Sequence, residues 1–125
     1  IDCTFEPIVR MTTTYIEPGD QTFEQLIAPI QKGYYIKTIS HGSGMSTFTI
    51  APRLAYEIEN GHLGKPTQIS VITGSVFETL GLIDGLSNEL TLLSFVTGGC
   101  GKMEQQGLPV GFGGPCVRVS EMNVQ

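Results

Sequence analysis

The chain has 125 residues, 40% of them hydrophobic and only 15% charged, a balance that excludes a disordered chain and fits one folded domain over residues 1–125. Seven Lys plus Arg against twelve Asp plus Glu leave a net charge of -5 with no basic cluster, so direct nucleic-acid binding, which needs phosphate-neutralising charge, is not expected. No apolar run approaches the ~20 residues that span a bilayer and no signal-like segment opens the chain, so no membrane partner and a cytoplasmic location are expected.

The first residue is Ile1, and strand-like sequence follows at once. This reads as a piece of a longer protein. Cys3, Cys100 and Cys116 are too few, and odd in number, for a disulfide framework, and are expected as reduced thiols.

In chain order, Glu6 to Asp20 is rich in β-branched residues and closes on Pro18-Gly19, which predicts a strand ending in a turn. Phe23, Leu26, Ile27 and Ile30 then fall at the spacing of a helix face. Thr22 and Gln25 form a capping box before it, Gly33 marks a stop, and Pro29 should keep the helix short or bent. `YYIKTIS` and `STFTIAP` read as strands. Asn60-Gly61, between `RLAYEIEN` and a second β-capable run, predicts a hairpin.

Ser75 and Glu78 read as a second capping box for a short helix whose apolar face is Val76, Phe77, Leu80 and Ile83. `NELTLLSFVTG` is a further strand, a glycine-rich loop follows, and `PCVRVSEMNV` reads as one last strand. Strands outnumber helices and do not alternate with them as parallel units would. The expected class is α+β: β-rich, a largely antiparallel sheet or partial barrel, with two short helices.

The segment `TGGCGKMEQQGLPVGFGGPC`, from Thr97 to Cys116, is the candidate for chemistry. A phosphate-binding loop needs an upstream glycine and a hydroxyl after Gly-Lys; here Val96 and Met103 stand in those places. A dinucleotide turn fails as well, because Cys116 stands where the third glycine is required. Cys100 and Cys116 are too far apart in sequence for a local redox pair. Cys100, between glycines, could turn its sulfur toward a metal ion, but Cys3, Cys116, His41 and His62 offer no ligand-pair spacing beside it. On residue chemistry alone Cys100 reads more readily as a structural or idle thiol than as a metal ligand. His41 reads as a turn residue, His62 as solvated, Glu57 and Glu59 as a wet strand face, Glu78 as a cap and Lys102 as a loop solvator.

Three stretches, `RMTTTYIEPGD`, `GYYIKTISHGSGMSTFTIAPRLAYEIENGHL` and `GCGKMEQQGLPVGFGGPCVRV`, together resemble the C-terminal domain of the TldD/PmbA family. Its members are called modulators of DNA gyrase and are understood as metallopeptidases that process small peptides. The resemblance runs from about Glu6 to Val119. In the TldD branch the cysteine of the Cys-Gly-Lys motif is a zinc ligand beside two histidines of an upstream H-E-x-x-x-H helix. Carried onto this chain, that ligand is Cys100.

The resemblance therefore implies the C-terminal domain of a TldD-like zinc metallopeptidase, supplying one metal ligand and part of a peptide channel. The alternative is a non-catalytic PmbA-like domain, also called TldE, that serves dimerisation and peptide binding. The implied partners are a peptide substrate and either a second copy or a TldD/TldE-type heterodimer. The H-E-x-x-x-H helix is not among these residues, so the chain alone is expected to be inactive and to hold no zinc. Two departures stand out: Thr13 occupies the usual asparagine position, and `MEQQGL` is about one residue longer than usual.

Overall fold

The computed structural model describes residues 3–125. It is a β-rich α+β fold of open, mostly antiparallel sheets with two short helices. The largest sheet is organised around β3 (Thr47–Glu59), which pairs along one edge with β2 (Lys32–Gly44). Its other edge is shared: β4 (His62–Thr67) takes the Ala55 to Glu59 end, and β5 (Ile72–Ser75) takes the Thr47 to Ile50 end. The short β10 (Asn123–Val124) completes the sheet beside β5.

The turn joining β3 to β4 is the one expected from Asn60-Gly61. Both residues have positive φ, 49° and 76°, and Glu59 faces His62 across the two-residue loop. Such a turn matches the twist of the strands it joins, which is why the dipeptide is so informative. A Cβ at Gly61 would lie 2.7 Å from the Ala28 carbonyl oxygen, so the turn also packs against the end of the first helix.

That helix, α1 (Phe23–Ile27), opens on the expected box. The Gln25 N–H donates to the Thr22 hydroxyl at 3.2 Å, and the Thr22 N–H donates to Gln25 Oε1 at 2.8 Å. It ends before Pro29 rather than at Gly33, because a proline ring disfavours helical backbone in the residue before it and clashes with the preceding turn. Leu26 and Ile27 are buried. The compact core cluster is Ala55, Ile69 and Ile72, packed by Ile36, Ile50 and Met122. Burying each large aliphatic side chain contributes about 1.5–3 kcal/mol.

The second helix differs from expectation. α2 (Val76–Gly81) starts at Ser75, whose side chain makes no capping bond, and none of its residues is buried. Ser75 is also the last residue of β5, paired with Thr47, so strand backbone sets its geometry. Of the predicted apolar face, Phe77 is 81% exposed and Leu80 is exposed too, Val76 is half-buried, and Ile83 is half-buried beyond the helix, so only part of that face is covered. The final stretch also divides in two. β9 (Val117–Val119) pairs with β6 (Ile83–Leu86), whereas β10 joins the large sheet.

The third sheet carries the candidate site. β7 (Thr91–Lys102) and β8 (Gln105–Gly114) form an antiparallel hairpin, and β1 (Thr14–Tyr15) runs parallel to β8. Two expectations change here. The glycine-rich segment is for the most part a β-hairpin rather than a loop, and the strand predicted over Glu6 to Asp20 is reduced to Thr14–Tyr15. Residues before β1 are attached to the hairpin by side chains instead of ladder bonds.

Candidate metal-ligand site

Cys100 lies near the tip of the β7–β8 hairpin, opposite Leu108. The ladder is irregular on both sides of it, with register shifts between Phe95 and Gly99 and again between Cys100 and Lys102. Glycine permits both. Gly99 has φ 124°, and a Cβ there would lie 2.9 Å from Val110 Cγ2. Gly107, on the opposite strand, has φ 70°. The `MEQQGL` segment contains a tight turn at Met103, φ 53°, and lies beside the bulge at Cys100.

The surroundings of the thiol come from far away in sequence. Arg10 Nη2 donates to the Cys100 carbonyl oxygen at 3.0 Å and approaches Cys100 Sγ at 3.5 Å. Arg10 Nη1 donates to Gln105 Oε1 at 3.0 Å, and Gln105 Nε2 donates in turn to the Glu6 carbonyl oxygen at 2.7 Å. Lys102 Nζ donates to the Val9 carbonyl oxygen at 3.0 Å, so it fastens the hairpin tip to the preceding segment rather than merely meeting solvent.

Cys100 is half-buried and free. The Arg10 hydrogen bond, followed by one from the Met11 backbone N–H, holds its thiol below the ordinary value, while partial burial works in the opposite direction. Both donors favour the thiolate, the form in which cysteine binds metal. A half-buried, donor-supported thiolate on a strand end fits zinc as a single soft ligand. Among the described residues no group of three or more His, Cys, Asp or Glu side chains comes together. Cys100 can thus contribute one donor to a site but cannot form one within this set.

The other residues considered lie elsewhere. His41 is exposed on β2 opposite Ala51, and His62 is exposed where β4 begins. Cys3 is exposed and free. Cys116 is also free, and it lies in the connection before β9 rather than within a core strand. Arg10 and Gln105 were not evident as site residues, and the only signal of Arg10 is its place at the head of `RMTTT`.

This chain belongs to the PmbA/TldA metallopeptidase C-terminal domain family, whose model matches residues 2–125. It is similar to a metalloprotease of Methanothermobacter thermautotrophicus, 37% identical over 119 residues that cover 91% of this chain and 25% of that protein. It is also similar to a zinc metalloprotease TldD homolog of Saccharolobus solfataricus, 32% identical, with 94% of this chain and 26% of that protein covered. The chain therefore spans about a quarter of the length of these curated relatives. Among solved structures, TldE from Thermococcus kodakarensis shares the fold with a TM-score of 0.69 at 21% identity, over 89% of this chain and 23% of that one.

Proposed function

We propose that this chain is the C-terminal domain of a TldD-like zinc metallopeptidase that processes small peptides, and that Cys100 is its contribution to the metal site. The observation that carries this reading is the placement of Cys100: a free, half-buried thiol on an irregular strand, held toward the thiolate by Arg10 and the Met11 N–H. The family match and the zinc metalloprotease relative support the choice of metal.

In this reading the remaining ligands are two histidines of an H-E-x-x-x-H helix in the rest of the protein. Bound zinc supplies Lewis acidity at neutral pH. The roles of this chain are to hold the sulfur at a fixed place on the hairpin and to offer sheet edges beside it. An extended peptide can add to such an edge through main-chain hydrogen bonds, which give affinity with little dependence on sequence. Assembly with a second copy or with a TldE-type partner, inside the cytoplasm, completes the proposal. No helix among the described residues is long and apolar enough to cross a membrane.

A non-catalytic role is the second reading, favoured by the fold likeness to TldE and by the exposed apolar side chains of the β7–β8 sheet. Phe95 and Phe112 stack with ring centroids 4.9 Å apart, and both remain exposed together with Leu93. The test is Cys100→Ser in the full-length protein. The enzyme reading expects loss of zinc and of peptidase activity at unchanged thermal stability in the metal-free state. Full zinc content in that variant contradicts it.

A further inference from the structure

We propose that Arg10 is a positioning residue for Cys100, locked in turn by Gln105, and that the two set the direction in which the sulfur meets a metal ion. This rests on the reading of Cys100 as a zinc ligand. Its basis is a closed ring of hydrogen bonds. The main chain runs from Glu6 to Arg10, the guanidinium bridges Gln105 and Cys100, and the Gln105 amide returns to the Glu6 carbonyl.

Each part of the ring restricts the next. Gln105 is only 7% exposed, so both ends of its amide must find partners; its N–H₂ is committed to Glu6, which leaves its oxygen for Arg10. With Nη1 fixed, the planar fork brings Nη2 onto Cys100, where it meets both the carbonyl oxygen and Sγ. Among the described residues Arg10 Nε is buried without a hydrogen-bond partner, so this arrangement of the guanidinium leaves one N–H unsatisfied. A staple for the preceding segment needs only the carbonyl contacts. The additional approach to Sγ is what a positioning role requires, since a metal-bound sulfur keeps lone pairs for N–H donors and such donors orient the ligand. Lysine could preserve the charge but not the fork.

Cobalt(II) in place of zinc in the full-length protein provides the test, because a thiolate ligand gives a sulfur-to-cobalt charge-transfer band. Arg10→Met should shift this band and weaken cobalt binding by about 10–100-fold. Gln105→Leu should act in the same direction, and Arg10→Lys should fall between Arg10→Met and the wild type. If Arg10→Met does not fold, the other two variants carry the test. Loss of the band in Cys100→Ser together with a wild-type band and affinity in every folded Arg10 and Gln105 variant overturns the positioning role alone. A band that persists in Cys100→Ser overturns the ligand reading and this inference with it.

Discussion

Ser87 and Cys116 form a reciprocal pair. The Cys116 N–H donates to Ser87 Oγ at 2.8 Å, and the Ser87 N–H donates to the Cys116 carbonyl oxygen at 2.9 Å. The Ser87 carbonyl also accepts the Gly19 N–H at 2.9 Å, so one serine, 1% exposed, ties together three distant segments. Ser87→Ala leaves the Cys116 amide without its acceptor and should cost about 1–3 kcal/mol. Denaturant unfolding of the 125-residue chain measures this. A loss below a few tenths of a kcal/mol would show that solvent replaces the hydroxyl.

The two helix starts predict opposite results for matched substitutions. Thr22 makes its capping bond and Ser75 does not. Thr22→Ala should cost about 1 kcal/mol, whereas Ser75→Ala should be close to neutral. Equal losses in thermal unfolding would contradict the assignment of these caps.

These two caps also show what could be read from sequence. Thr22, Pro29 and Asn60-Gly61 act on backbone within a few residues, so their signals survive in any fold compatible with them. The Ser75 signal is of the same kind but was overridden, because pairing with Thr47 makes the residue the end of a strand. Phe77 and Leu80 have helical spacing, yet both remain exposed. Glycines and prolines from Gly98 to Pro115 resemble a loop because each disfavours regular strand. The hairpin forms nevertheless, with Gly99 and Gly107 placed where its ladder is irregular.

The site was legible only in part, for a related reason. Cys100 could be named through the family resemblance, whereas Arg10 stands 90 residues away from it and 95 from Gln105. No local periodicity encodes such contacts. They exist because β1 runs parallel to β8 and brings the preceding segment over the hairpin tip.

Alkaline pH should weaken the fold through Tyr35. Its ring packs 4.9 Å from Phe23 and 6.4 Å from Tyr56. Burial pushes its phenol above the ordinary tyrosine value, with smaller contributions in the same direction from Cys116 and Tyr56. Folding therefore favours the neutral phenol. Its contribution is fully present below the unfolded value of about 10 and is lost as pH rises through the raised folded value. Absorbance titration should show Tyr35 ionising late, and Tyr35→Phe should reduce the alkaline loss of stability. An identical loss in the two proteins would assign it to other groups.

The most direct measurement of the central claim is zinc-edge X-ray absorption on the full-length protein. With Cys100 as a ligand, the spectrum contains one sulfur at about 2.3 Å among nitrogen or oxygen neighbours, and Cys100→Ser removes it. A first shell of nitrogen and oxygen alone in the wild-type protein would contradict the assignment.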